Sequence, residues 1–491
     1  MHAQDSPLTA LPSRILVPII VACALFMENL DATVLATSLP AIARDMGEDP
    51  IALKLALTSY LLSLAVFIPV SGWMADRFGA KPIFRLALAI FMLGSVFCGF
   101  AATLTDFVMA RIVQGMGGAM MVPVGRLVIL RSVPKSELVS ALAWFTIPAI
   151  VGPIAGPPLG GFITTYFSWR WIFYINIPIG MLGIVLVTRY IEDIREQSPQ
   201  PLDWVGLLLL GTGLFGLVFG LAVLGQGVVP VWLALGMLVL GGLFCWLYAR
   251  HAARVAHPLL DLSLMRIATF RASIIGGALI RISMGATAFL LPLLFQVGFG
   301  LTAFASGMLT FVMAIGAFLM KFTAAPILTR FGFRSVLVAT AFVSAAFVCS
   351  LSLFTEATPH AAILGVLLVA GFFRSLQISA VNTLIYADLA PRSMSQATSF
   401  ASAGTQLSLS LGVTAAALTL EAQQMARGDT AILAGDFATA FLAVGVIGAM
   451  SALTFWRLPR DAGIELTGTV GESAGPADDP ASAGRPSGDP S

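Results

Sequence analysis

Charge is what this sequence has least of. Asp, Glu, Lys and Arg make up 11% of its 491 residues, against ~25% in a soluble domain. Hydrophobic residues reach 58%, with a mean hydropathy of +0.93, above the ~45–50% that a soluble fold carries. A soluble enzyme is thereby excluded. The 27 basic and 25 acidic residues leave only +2 and form no basic stripe, which excludes nucleic-acid binding. Strict polar/apolar alternation is missing too, which excludes a β-barrel porin. Cysteine is rare: Cys23, Cys98, Cys245 and Cys349 lie in four different apolar runs without C-x-x-C spacing. They read as small core hydrophobes rather than a disulfide framework or metal site. His2, His251 and His257 lie outside the apolar runs and His360 at the very start of one, so no imidazole is placed in mid-membrane to carry protons. The first 13 residues contain no Lys or Arg and lead into a full-length apolar run, so no cleavable signal peptide is expected.

Long apolar runs fill the remainder. They cover about 15–39, 51–73, 82–102, 106–127, 138–163, 170–189, 204–224, 229–249, 271–297, 303–325, 335–355, 360–386, 397–420 and 434–456. Each suits one bilayer crossing of ~20 residues. The expected fold is an all-α polytopic membrane protein with fourteen transmembrane helices. The runs at 204–224 and 229–249 are separated only by Gly225 to Val228, but a single helix of their joint length would overshoot a bilayer. With the N-terminus in the cytoplasm, eighteen Lys and Arg fall on cytoplasmic connections and four (Arg44, Lys54, Arg170, Arg427) on the other side. That bias places both termini inside. Residues 458–491, rich in Gly, Ala, Ser, Pro and Asp, read as a disordered cytoplasmic tail.

An internal repeat divides the chain. Gly72-Trp-Met-Ala-Asp-Arg-Phe-Gly-Ala-Lys81 follows the second run, and Ala325-Pro-Ile-Leu-Thr-Arg-Phe-Gly-Phe-Arg334 follows the tenth. Arg77/Arg330, Phe78/Phe331, Gly79/Gly332 and Lys81/Arg334 align at an offset of 253 residues. The repeat predicts two six-helix pseudo-repeat halves, 1–190 and 266–457, around a central cavity. A linker with two inserted transmembrane helices, 191–265, joins them, and the tail 458–491 follows. Repeated halves around a central site are a transporter architecture.

At these residues the chain resembles the major facilitator superfamily, in its fourteen-helix drug:proton antiporter branch, over about residues 14–457. The likeness is carried by Leu30-Asp31-Ala-Thr-Val-Leu-Ala-Thr-Ser-Leu-Pro40 in the first helix and by the loop motif Gly72 to Lys81. Arg111-Ile-Val-Gln-Gly-Met-Gly-Gly118 in the fourth helix and Gly152-Pro-Ile-Ala-Gly-Pro-Pro-Leu-Gly-Gly161 in the fifth extend it. The last is similar to the antiporter motif. Trp169-Arg-Trp-Ile-Phe-Tyr-Ile-Asn-Ile-Pro178 resembles the start of the sixth helix in this branch. The chain departs from the pattern in its second loop copy, where Thr329 stands in place of the aspartate.

Glu28 and Asp31 are the only carboxylates deep inside a run, three residues apart and so on one helix face. A carboxylate at that depth is costly and is the natural proton carrier. Counted at 1.5 Å per residue, Arg111 lies ~8 Å below the outer face and Asp31 ~24 Å above the inner one, level within a turn in a ~30 Å core. The resemblance ties Arg111 to proton transfer, which makes Asp31, Glu28 and Arg111 the proton-coupling group. A structural ion pair is the plainer reading of the same residues. Gly72, Asp76, Arg77, Gly79 and Lys81 are positive-inside anchors on the sequence alone. The resemblance makes them a latch in which Asp76 caps or pairs across the halves, and the two glycines suggest tight backbone approach. Gly152, Gly156 and Gly160 recur every four residues, a small-residue face for a neighbouring helix. Pro153, Pro157 and Pro158 add kinks, and the resemblance makes the segment a leak-tight gate seam.

The 253 offset maps Glu28 onto Arg281, so a Glu28–Arg281 pair across the cavity is expected. Arg374 and Lys321 are the other embedded cations, Lys321 near an inner end where it can snorkel. The excess of embedded cations leans toward anionic or zwitterionic ligands. Asn176, Gln377, Asn382 and Gln406 are candidates for cavity lining, or for hydrogen bonds between helices.

The function expected from this pattern and resemblance is proton-coupled efflux of small amphipathic compounds by alternating access. The alternative is a proton-coupled symporter for an organic acid or other small metabolite, which the glycine-rich fifth helix disfavours. A membrane enzyme would need a nucleophile, metal or cofactor set in the spans, and no His, Cys cluster or G-x-S-x-G occurs there. No cofactor or metal is expected, only a proton gradient as energy source. Partners are the small-molecule substrate, protons and the lipid bilayer. A periplasmic adaptor protein would be a further partner, and no residue marks one. The expected location is the plasma membrane, a bacterial inner membrane.

Overall fold

In lipid every backbone N–H and C=O must be paired within the chain, so uncharged runs of this length become helices. The computed structural model describes residues 13–133, 137–192, 201–224, 229–390, 393–428, 431–459 and 462–463. Lys135, Arg195, Arg392, Gly225 to Val228 and nearly all of the 458–491 tail lie outside the described residues. Fourteen long helices fill the chain in the expected order. They are α1 (Ser13–Met46), α2 (Lys54–Phe78), α3 (Ala80–Phe100), α4 (Leu104–Ser132), α5 (Leu138–Tyr166), α6 (Trp171–Tyr190) and α7 (Trp204–Val223). They continue with α8 (Val231–Ala252), α9 (Ala268–Gly298), α10 (Ala303–Met320), α11 (Phe333–Leu353), α12 (His360–Leu384), α13 (Met394–Arg427) and α14 (Ala434–Trp456). Thirteen are long and apolar enough to cross a membrane by length and composition. The other, α5, is an uncharged 29-residue helix.

Two helices outrun their apolar segments. α1 continues through Pro40 to Met46 and buries Ile42 and Ala43, while Arg44 and Asp45 face outward. α13 continues past Leu420 and takes Glu421 into the helix. Charge closed both segments in the sequence, although a charged residue can extend a helix when its side chain finds water or a partner. The repeat is visible in the backbone. Gly79 (φ 99°) separates α2 from α3, and Gly332 (φ 72°) separates the short helix Ala324–Phe331 from α11. Positive φ at a one-residue break is the reason for glycine at both places. Gly72, by contrast, has nothing within 4 Å of where a Cβ would stand, so the expected tight approach is absent there.

Helix pairing repeats as well. α1 packs on α5, α3 and α2 on α4, and α1 and α3 on α6. In the second half α9 packs on α13, α11 and α10 on α12, and α9 and α11 on α14. The inserted α7 and α8 pack on each other. α7 also lies on α2, where Trp73 and Trp204 meet edge to face at 5.8 Å. Between the halves α5 meets α10 and α2 meets α13.

These cross-half contacts gather at one end. Lys54 Nζ reaches Glu421 Oε1 at 2.7 Å, Gln296 Nε2 donates to the Thr37 carbonyl at 2.8 Å, and the Phe304 N–H donates to Thr165 Oγ1 at 3.0 Å. One apolar cluster there joins Leu35, Leu39 and Phe107 of the first half to Phe289, Leu294 and Phe437 of the second. Toward the other end each half has its own cluster, Val21, Phe84 and Val124 in one and Phe270, Leu337 and Phe455 in the other. The halves therefore join at the Lys54 end, the closed end, and keep separate cores toward the Asp76 end, the open end.

The α5 glycines make the α1–α5 seam. A Cβ on Gly152 would stand 2.9 Å from Asn29 Cβ, one on Gly160 2.8 Å from Val34 Cγ1, and one on Gly156 would run into the Thr33 side chain. Gly161 and Gly307 carry the same close approach to the α5–α10 contact. α5 stays one helix through Pro148, Pro153, Pro157 and Pro158. Gly156→Leu overpacks this seam and should cost ~1–3 kcal/mol or more. The expected variant inserts, melts earlier in detergent and turns over far more slowly; normal stability and turnover would show that α1 and α5 do not need this contact.

Candidate functional site

Four helices converge on Asp31. α4 is drawn between α2 and α3 by its glycines: a Cβ on Gly115 would stand 2.7 Å from Ser63 Cβ, and one on Gly117 2.5 Å from the Phe91 nitrogen. Gly94 on α3 likewise leaves room for Gln114. This close packing carries Arg111 into the interior, where it is 0% exposed. Its Nη1 reaches Asp31 Oδ2 at 2.6 Å, and its guanidinium lies 4.1 Å from the centre of the Tyr60 ring. Arg111 Nη1 also donates to Gln114 Oε1. Gln114 Nε2 donates to Asp31 Oδ1 at 2.8 Å and to Ser95 Oγ at 2.9 Å. Asn176 Nδ2 lies 3.3 Å from both Asp31 Oδ1 and Ser95 Oγ. Asp31 is 3% exposed, so a buried carboxylate sits inside a cage of donors around one arginine.

Such a cage can do one thing well. It meets a charged carboxylate with charge-assisted hydrogen bonds on both oxygens. Glu28, one turn away on α1, is half-buried, and its Oε2 has no hydrogen-bond partner among the described residues. It stands beside the cage as a second carboxylate with no ion-pair partner among the described residues.

Asp31 and Arg111 are brought together as their levels in the membrane require. Asn176 moves from cavity candidate to member of the cage, because it is fully buried against Asp31. Glu28 and Arg281 form no ion pair. Arg281 Nη2 bonds Asn382 Oδ1 at 2.7 Å within its own half. The repeat offset matched their heights but carries no information on their separation across the cavity. Gln377 is 2% exposed, inside the second half beside Arg374, and Gln406 is half-buried on α13. Lys321 lies just past the end of α10 and donates to Ser379 at 3.2 Å. Asp76 bonds Arg131 at 2.7 Å within the first half. The expected pairing of Asp76 across the halves is not formed here, since the halves keep separate clusters at that end. Arg77 is exposed and Lys81 half-buried.

Several members of the site went unread in the sequence. Gln114 could have been found, because it lies three residues from Arg111 on one helix face. Ser95 and Tyr60 gave no signal. Lys54, read as an outer-side charge, is fully buried against Glu421. A buried ion pair between α2 and α13 thus joins the halves at the closed end.

The sequence profile of the Major Facilitator Superfamily matches residues 21–268 and 273–478. A Klebsiella pneumoniae protein named multidrug resistance protein MdtD is 39% identical over 448 residues, covering 90% of this chain and 94% of its own. Its namesake in Salmonella typhimurium is 38% identical over 456 residues, with the same coverage. Among solved structures, a D-xylose-proton symporter superposes with a TM-score of 0.64 at 15% identity, over 91% of this chain and 98% of its own. A bacterial homologue of the human lysosomal transporter Spinster gives 0.64 at 16% identity, over 91% and 97%.

The Lys54–Glu421 pair yields a test of the closed end. Breaking a buried pair from one side typically costs ~3–5 kcal/mol. Lys54→Met and Glu421→Leu should each lower the melting temperature in detergent and raise labelling of cysteines introduced above the pair. The double variant should recover part of the stability. Single effects that simply add, with coupling below ~0.5 kcal/mol, would show that the pair does not hold the two halves.

Proposed function

The chain belongs to the major facilitator superfamily, a family of multi-pass membrane transporters, and from that premise we propose that it is a proton-driven efflux antiporter for small amphipathic compounds. The observation that carries the reading is the caged Asp31–Arg111 pair, a buried carboxylate whose only strong neutralisation is one that a proton can undo. The names of the relatives, multidrug resistance proteins, support export as the direction.

With both termini in the cytoplasm, the open end faces inward and the Lys54 end faces the periplasm. The unit boundaries are 1–190, 191–265 and 266–457, with 458–491 as a tail. In this inward-open state Asp31 is ionised and held by Arg111, Gln114 and Asn176. Compound enters from the cytoplasm between the halves, and the outer contacts at α5–α10 and α2–α13 open as the inner ends close. A proton from the periplasm then reaches Asp31. Neutral Asp31 loses its charge-assisted bonds, Arg111 is released, and the compound leaves outward. Return to the inward-open state passes the proton from Asp31 toward Glu28 and the cytoplasm. The proton gradient supplies the energy without a cofactor.

The loop Gly72 to Lys81 works as a latch in the opposite state. Asp76, now on Arg131, lies far from the cage and can exchange this partner for one across the halves when the inner ends meet. Gly79 gives the loop its turn, and Arg77 and Lys81 face the cytoplasmic surface.

Two variants test this scheme in proteoliposomes with an imposed pH gradient. Asp31→Asn should insert and fold but lose proton-driven export, by ~10²-fold or more if it is the proton-transfer group. Active export by that variant at wild-type rate would end the assignment. Asp76→Asn should slow transport while leaving equilibrium substrate affinity nearly unchanged. A large loss of affinity without any change in accessibility labelling would place Asp76 in binding rather than in the latch. Proton influx on adding substrate outside would favour a symporter instead.

A further inference from the structure

The two halves treat embedded charge in opposite ways. In the first, Arg111 is neutralised by Asp31. In the second, Arg281 and Arg374 stand mid-helix in α9 and α12, and Glu356, in the connection between α11 and α12, is the only acidic residue from 262 to 387. Arginine stays protonated at any physiological pH, and an uncompensated buried charge is costly. Arg281 has the neutral Asn382 as partner. Arg374 has no hydrogen-bond or ion-pair partner among the described residues.

Arg374 lines a cavity of about 30 Å³ between α9, α11, α12 and α14. These helices correspond to α1, α3, α4 and α6, which build the cage around Asp31. Gln377 follows Arg374 at the spacing by which Gln114 follows Arg111. Ser344 on α11, whose buried hydroxyl has no hydrogen-bond partner among the described residues, lines the same cavity, and Ser283 lines it from α9. The residue that the 253 offset matches with Asp31 is Met284, which also lines the wall. The correspondence is of helices rather than of exact height. Gly115 lies against the Tyr60 carbonyl and Gly371 against that of Met313. Matched on those contacts, Arg374 sits about two turns nearer the open end than Arg111.

A fixed positive charge, an amide and hydroxyls therefore surround a space that takes one or two water-sized particles, with no carboxylate among them. We propose that this cavity is a binding site for one small anionic group, a halide ion from solution or the carboxylate of a transported compound, held by Arg374, Gln377 and Ser344. The anion supplies from outside the chain what Asp31 supplies within the first half. The inference stands on these side chains and does not require the efflux reading.

The test is a melting-temperature titration of the full-length protein in detergent. Chloride, bromide, acetate or formate replaces methanesulfonate, whose sulfonate head is larger than a carboxylate, at constant ionic strength. A saturable rise with chloride and bromide identifies a resident ion, and a rise with the carboxylates alone identifies the acidic group of a compound. In either case Arg374→Gln should raise the half-saturating concentration roughly tenfold or more, as loss of a charge-assisted hydrogen bond implies. Ser344→Ala, which keeps the charge and packing, should weaken it less and guards against a fold defect in the arginine variant. No rise with any of the four, or the same titration curve in wild type and both variants, would overturn the site. An Arg374-dependent response in a protein that exports nothing would count against the efflux reading alone.

Discussion

The ion pair between Asp31 and Arg111 is buried because both Asp31 oxygens and Arg111 Nη1 are paired, while Arg111 Nη2, Asn176 Oδ1 and the Tyr60 hydroxyl have no hydrogen-bond partner among the described residues. In a low-dielectric interior a charge is tolerated when its partner and its remaining hydrogen-bond sites are supplied together. Here Gln114, Asn176 and Ser95 supply them, from three helices. The packing of the first half follows from that requirement. Gly94, Gly115 and Gly117 remove side chains where α2, α3 and α4 would otherwise stand apart, and the guanidinium reaches the α1 carboxylate only because they do.

The seam beside the cage follows the same logic. Gly152, Gly156 and Gly160 bring α5 against α1 within a turn or two of Glu28 and Asp31, while Gly161 brings it against α10 of the other half. One helix thus touches both the helix that carries Asp31 and the contact between the halves. A change in how α1 is held has a short mechanical route to the contact between the halves. The Lys54–Glu421 pair closes the second cross-half contact, between α2 and α13, with full burial on the lysine side. The closed end is therefore made of glycine contacts on one side and a buried charge pair on the other.

The halves are alike in backbone and unlike in charge. Pair for pair their helices pack in the same way, and Gly79 and Gly332 turn the chain at matching places. At mid-helix depth the first half carries Glu28, Asp31 and Arg111 and the second Arg281 and Arg374, while the buried carboxylates of the second half, Glu421 and Asp436, lie toward helix ends beside Lys54 and Arg427. A repeat can keep its packing while its chemistry diverges, because glycine contacts set the frame and a few polar residues set the field within it. At mid-depth the first half encloses an acid–base pair, and the second encloses arginines without a carboxylate beside them.

The sequence by itself determined the class, the fourteen helices and their order. Lipid leaves no alternative to a long uncharged helix, and that constraint is local. It also determined that Asp31 and Arg111 stand at one level, since helical rise converts residue number into depth. Glu28 was legible as an embedded carboxylate for the same reason. Tertiary structure alone decided who meets whom across helices. Depth along an axis says nothing about rotation or lateral distance, so Arg281 turned to Asn382 rather than Glu28, and Asn176 to Asp31 rather than to the cavity. Lys54 and Glu421 lie at the ends of apolar runs, where charge reads as the edge of the membrane. Only the approach of α2 to α13 made that edge an interior, by excluding water from both partners at once.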